Sequence, residues 1–197
     1  MTLSIQSYSG SDATPFFGDL ARLRATVFRD FPYLYEANPA YEQTYLSTYA
    51  RSEGSVFVIA RDGDTVVGVA TGTPMSGETD EVKAPFLASD RDPAAYFYFG
   101  ESVLLSAYRG QGIGVQFFEE RERQAAQLGL RYATFCAVER PADHPRRPAG
   151  YQPLDAFWGK RGYTHHPELK TTFTWRDLDD AVETPKPLSF WIRDLKS

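Results

Sequence analysis

The chain has 197 residues, with 21 Lys+Arg against 26 Asp+Glu and a formal net charge of −5. That length supports one sizeable core. An acidic balance without basic runs argues against nucleic acid as the main partner, and no apolar run approaches the roughly 20 residues of a membrane span. With one cysteine, Cys136, and no basic-then-apolar leader at the N-terminus, the expectation is a single domain over residues 1–197 in a reducing cytoplasm.

In chain order, Leu3, Ile5 and Ser7 alternate with polar neighbours and predict a short first strand. Residues 12–29 predict a helix: Asp12 or Thr14 caps it, Pro15 suits its first turn, and Leu20, Leu23, Val27 and Phe28 form the apolar stripe. Phe31-Pro32 breaks it, because proline restricts the residue before it. A second helix is expected from about Pro39, where Tyr41, Tyr45 and Tyr49 recur at four-residue spacing. Val56-Phe57-Val58-Ile59-Ala60 and Val66-Val67-Gly68-Val69-Ala70 flank Asp62-Gly63-Asp64, a strong hairpin signal. Residues 74–93, polar and proline-containing, read as a loop with room for one helical turn.

Residues 95–106 are apolar on both faces and predict a central buried strand. Residues 112–128 predict an amphipathic helix, with Ile113, Phe117, Ala125 and Leu128 inward and Glu119 paired with Arg123 outside. Tyr132 to Val138 is another strand, followed by a proline-rich loop over 139–153 and a short helix near 154–161. Two strands, near 169–176 and 188–193, are separated by the charged stretch Asp177 to Lys186. Strands mixed with helices, and a strand–helix–strand unit near the centre, imply an α+β class with a mixed sheet.

Chemistry concentrates in Glu101-Ser102-Val103-Leu104-Leu105-Ser106-Ala107-Tyr108-Arg109-Gly110-Gln111-Gly112-Ile113-Gly114, where a buried strand runs through a glycine-rich turn into a helix. Three glycines let the backbone curl so that successive N–H groups converge, and with the helix dipole they form a phosphate cradle. No Gly-Lys-Ser/Thr follows, which excludes a P-loop, and GxGxG is a poor dinucleotide fingerprint. Arg109-Gly110-Gln111-Gly112-Ile113-Gly114 resembles the Gln/Arg-x-x-Gly-x-Gly/Ala signature of the GNAT superfamily of acyl-CoA-dependent N-acyltransferases. Phe157-Trp158-Gly159-Lys160-Arg161-Gly162-Tyr163 is similar to that family's second motif, and the element order from the first strand to Tyr163 follows the same fold.

The resemblance implies a central, mostly antiparallel sheet flanked by helices and splayed at the acyl-CoA site. It places the coenzyme A pyrophosphate on the amides of Gly110 to Gly114, next to Arg109, with Gln111 and Ile113 in the same turn. It places the pantetheine arm along the backbone of Val103, Leu104 and Leu105. It further implies acetyl-CoA as co-substrate without a metal, a small-molecule or peptide amine as acceptor, and a homodimer. Backbone amides explain how an acidic protein binds an acidic cofactor, since diffuse charge is screened over about 8–10 Å.

Glu101 is the candidate base for the acceptor amine: strand period puts it on a face with Phe97, Phe99, Val103 and Leu105, and apolar burial would raise its pKa toward the working pH. The competing role is a structural ion pair with an arginine. Trp158 stands where the family often has a tyrosine acid, so Tyr151 is the candidate hydroxyl; it is otherwise a loop aromatic, with the thiolate protonated by the reacting amine or water. Cys136, in an alternating strand, reads as core rather than nucleophile. His144 reads as solvated loop or acceptor lining, and the adjacent His165 and His166 make no recognisable metal site. Tyrosines of 33–49 would line an amine pocket or fill core, with Glu36 and Glu42 attracting a cation. Alternatives to acetyl transfer are another short acyl group or a catalytically silent acyl-CoA-binding module.

Overall fold

Seven strands form one open sheet in the computed structural model, which describes residues 2–38, 42, 46 and 49–196. They are β1 (Leu3–Ser9), β2 (Val56–Asp62), β3 (Thr65–Pro74), β4 (Tyr96–Leu104), β5 (Tyr132–Val138), β6 (Thr164–Trp175) and β7 (Thr184–Asp194), in spatial order β1-β2-β3-β4-β5-β7-β6. Only β4 and β5 run parallel. Parallel neighbours need a crossover, and α3 (Ile113–Gln127) supplies it. Further helices with both ends among the described residues are α1 (Phe17–Val27), α2 (Asp80–Leu87) and α4 (Asp155–Gly159). This is the mixed sheet that the element order implied, in the mostly antiparallel, helix-flanked form that the resemblance implied. No helix among the described residues is long and apolar enough to cross a membrane.

The strand period builds the layers. In β2, Val56, Val58 and Ala60 join Ile113 and Phe117 of α3, while Phe57 and Ile59 join Leu20 and Leu23 of α1. Both sets are buried because helices cover both faces, which is why the strand reads as continuously apolar. In β4, Phe97 and Phe99 belong to the α3 layer, whereas Tyr96 and Tyr98 meet Phe86 of α2 and Phe190 of β7.

Several expectations are corrected. The first helix is shorter than 12–29, because Gly10–Phe16 forms a 3-10 turn and Thr14 bonds the Ser11 carbonyl at 2.5 Å instead of capping α1. Residues 74–93 hold a two-turn helix, α2, hidden in the sequence by Pro85. Proline removes the N–H that would bond the Glu81 carbonyl four residues back. The Thr171 hydroxyl donates to that carbonyl at 2.6 Å, while Val82 and Phe86 anchor the helix. In α3 the buried stripe is Ile113, Phe117, Phe118, Arg121 and Ala125; Leu128 is 42% exposed. Arg123 pairs with Glu120 at 2.6 Å, not with Glu119. Strands β6 and β7 are longer than expected, since Pro167 sits in a bulge of the edge strand β6, where no ladder bond is lost. Pro39, Tyr41 and Tyr45 lie outside the described residues; Glu42, Leu46 and Tyr49 are buried.

Candidate active site

The site begins where β4 and β5 part. They pair only at Tyr96–Tyr132, Phe97–Ala133 and Tyr98–Thr134, after which β5 continues with β7 alone to Val138. The amide of Leu105 donates to the Val67 carbonyl at 3.0 Å, so it faces β3. By alternation Val103 faces β3 as well, and the backbone groups of Ser102 and Leu104 face the opening.

A bulge then re-aims Glu101. Phe99 pairs with Gly72 and Ser102 with Ala70, so Gly100 and Glu101 together oppose Thr71. The extra residue shifts the parity: Phe97 and Phe99 face α3, while Glu101 joins Val103 on the face of α1. The expected shared face with the two phenylalanines is therefore overturned. Glycine is required at 100, where a Cβ would lie 2.5 Å from the Tyr49 hydroxyl and 2.6 Å from Thr71 Oγ1.

Arg121 pins the bulge from below. Its Nη1 donates to the Thr71 and Glu101 carbonyls at 3.2 and 3.4 Å, its Nε to the Phe117 carbonyl at 2.9 Å, and its guanidinium lies 4.0 Å from the centre of the Phe99 ring. Burial pushes its pKa down to about 10, which still leaves it charged at neutral pH. Arg121→Met would strand buried carbonyls, so a loss of about 2–4 kcal/mol is expected in urea denaturation.

Glu101 is 4% exposed, and Arg24 of α1 donates to its Oε2. The same guanidinium donates through Nε to Glu42 Oε2, and Tyr35 donates to Glu42 Oε1 at 2.9 Å. The surroundings of Glu101 are thus not purely apolar, and the arginine ion pair is present. Its Oε1 is buried without a hydrogen-bond partner among the described residues. A third carboxyl, the half-buried Glu78, accepts from Tyr49, and desolvation raises its pKa. Glu101 and Glu42 share the one guanidinium of Arg24. Glu36 and Glu42 are not free to attract a cation, since Glu36 pairs with Arg176 at 2.6 Å.

Glu101 lines a cavity of about 1230 Å³ that extends to the glycine turn. Gly110 and Gly112 have φ of +77° and +83°, which L-residues avoid, and a Cβ at either would meet open space. The Arg109 amide bonds Ser106, and those of Val115 and Gln116 bond Gly112; the amides of residues 110–114 between them have no partner among the described residues. The Gln111 side chain bonds the Ala107 carbonyl at 3.2 Å, Ile113 is buried in the core, and Arg109 is exposed. Tyr108 ties the turn to the β2–β3 hairpin through Asp62 at 3.1 Å. A string of free amides at a helix N-terminus, beside a splayed strand edge, suits a phosphate-bearing, extended ligand.

Tyr151 lines the same cavity, edge-on to Phe31 with centroids 4.7 Å apart, and burial raises its pKa against the opposing charge of Arg147. Tyr33 is a second phenol in the lining, its pKa raised by burial and by nearby Cys136 and Tyr151. Trp158 packs between Phe135 and Trp191 at 5.0 and 5.1 Å, and Tyr163 donates to Glu122 at 2.9 Å, so the second motif closes the core. His144 packs behind Phe31 at 5.5 Å; His165 bonds Ser189 at 2.7 Å and His166 bonds Glu168 at 2.7 Å.

Cys136 lies 3.2 Å from the Tyr98 hydroxyl, and burial pushes its pKa up to about 12. At pH 8 it is a thiol, so iodoacetamide should alkylate the native protein slowly and accelerate only as pH approaches that value. Cys136→Ala should keep full activity, which a thiol-release assay checks.

Residues 20–149 match the model of the acetyltransferase (GNAT) family. No curated protein sequence matches the chain significantly. Among solved structures, the chain is similar to a ribosomal-protein-alanine N-acetyltransferase from Brucella melitensis, with TM-score 0.63, 13% identity and coverage of 97% of this chain and 99% of that one. It is similar to an N-acetyltransferase from Staphylococcus aureus Mu50, with TM-score 0.61, 14% identity and 99% of both chains covered. It is also similar to yncA from Salmonella typhimurium, solved with its cofactor acetyl-CoA, with TM-score 0.61, 11% identity and 99% and 95% covered. At these identities the structures show a shared fold, while the family match spans most of the sequence. The chain belongs to the GNAT family of acetyltransferases.

Proposed function

We propose that the chain, acting as one domain, transfers the acetyl group of acetyl-CoA directly to a primary amine, without an acyl-enzyme. The observation that carries this reading is that Glu101, whose buried Oε1 has no hydrogen-bond partner among the described residues, lines a cavity that reaches the free amides of the glycine turn. The residues fit coenzyme A: the amides of Gly110 to Gly114 and the side chain of Arg109 would hold its phosphates. The edge of β4 at Ser102 and Leu104, flanked by Val103 and Leu105, would hold its pantetheine arm. When bound, acetyl-CoA supplies the activated acetyl thioester.

The chain's own residues do the rest. Glu101, in the cavity lining, accepts the proton that must leave before the amine can attack. The Leu104 N–H, facing the opening, is the donor for the acetyl carbonyl oxygen. Tyr151 holds the proton for the departing sulfur, the role that Trp158 cannot fill. The absence of a hydroxyl at 158 also supports the second reading, a silent acyl-CoA-binding module. Thiol release from acetyl-CoA over polyamines, amino acids, aminoglycosides and peptides separates the two. Acceptor-dependent release with an N-acetylated product supports transfer; binding without release supports the silent module.

A further inference from the structure

The loop after β5 carries three arginines, and two are neutralised. Arg140 pairs with Asp177 at 2.8 Å and Arg146 with Asp179 at 2.7 Å. Arg147 has no carboxylate partner among the described residues, although Asp30 and Asp155 line the same cavity. It is half-buried, with its guanidinium carbon 4.9 Å from the Tyr151 ring centre and 5.9 Å from that of Phe31. Aromatic faces hold a guanidinium in place while leaving its in-plane donors free. Phe31 belongs to the segment following α1, and α1 lies on the Glu101 face of the sheet. Arg147, Phe31, Tyr151 and Glu101 all line the one cavity.

One cavity is thus lined by Glu101, whose buried Oε1 has no hydrogen-bond partner among the described residues, and by a guanidinium, that of Arg147, with no carboxylate partner among them. We propose that the acceptor is an amine that also bears a carboxylate, an amino acid or a peptide with a free C-terminus, whose ammonium meets Glu101 and whose carboxylate meets Arg147. A planar, two-pronged guanidinium matches a carboxylate better than any other side chain. The proposal rests on the transfer reading for the identity of the site, but binding alone tests it.

The test is calorimetric titration of the coenzyme A-saturated protein with two matched pairs: leucine against 3-methylbutylamine, and 6-aminohexanoate against pentylamine. In at least one pair the carboxylate-bearing amine should bind about ten- to a hundredfold more tightly. Arg147→Met should erase that difference without changing coenzyme A affinity, and Arg147→Lys should restore part of it. Equal or tighter binding of the plain amine in both pairs, or no binding of any probe, would overturn the proposal. So would a loss of coenzyme A affinity in Arg147→Met, which would put the guanidinium on a phosphate. Thiol release measured in parallel keeps the two readings apart. Carboxylate preference in binding without release contradicts transfer and leaves Arg147 in its role; release without preference contradicts the role of Arg147 alone.

Discussion

Gly112→Val is expected to give a folded protein that no longer holds coenzyme A. The residue has φ of +83°, and a Cβ there would touch nothing, so the fold loses only the cost of a side chain in left-handed backbone, about 1–2 kcal/mol. A β-branched residue relieves that strain by turning the peptide out of its conformation, and the amides around it then diverge. Each charge-assisted hydrogen bond to a phosphate is worth about 1.5–3 kcal/mol, so losing two of them weakens binding by about a hundredfold or more. Calorimetry with coenzyme A measures the affinity, and circular dichroism confirms the fold. A folded Gly112→Val protein with parental affinity would remove the glycine turn from the site.

Glu101→Gln should lower kcat by about 10²–10⁴-fold, the usual contribution of a positioned base, and leave coenzyme A affinity unchanged. Glutamine keeps an oxygen to accept from Arg24, and Arg24 keeps Glu42 as its counter-ion, so the variant should remain folded. The deficit should shrink as pH rises. The acceptor is then increasingly neutral before it binds, and less depends on removing its proton in the site. Parental turnover near neutral pH would place the base elsewhere. Unfolding of Glu101→Gln would give Glu101 the purely structural role.

What the sequence made legible was local. Three glycines between a buried strand and a helix start mark a turn that only positive φ can make, and the structure has those angles at 110 and 112. Asp62-Gly63-Asp64 between β-branched runs marks the β2–β3 hairpin for the same reason. What stayed hidden depends on contacts between distant segments. The bulge that turns Glu101 away from Phe97 and Phe99 rests on Thr71 across the sheet and Arg121 beneath it, and strand alternation alone gives the wrong face. A signal for both buried arginines was present, however. Arg24 stands four residues after Leu20 and Arg121 four after Phe117, each charged at a position where the helix stripe calls for an apolar residue. Such a residue must find a buried partner; the partners, Glu101 and the carbonyls around it, come from other elements. Helix α2 was masked by Pro85, whose missing bond is made good by Thr171 from 86 residues further along.

The central claim is that the acetyl donor and the amine meet in one cavity, with Glu101 beside the amine and no covalent stage on the protein. Initial velocities measured while varying acetyl-CoA at several fixed acceptor concentrations test it most directly. Intersecting double-reciprocal lines are the expected result, because both substrates must be bound before any product leaves. Parallel lines, accompanied by an acetylated protein when acetyl-CoA is supplied alone, would contradict it.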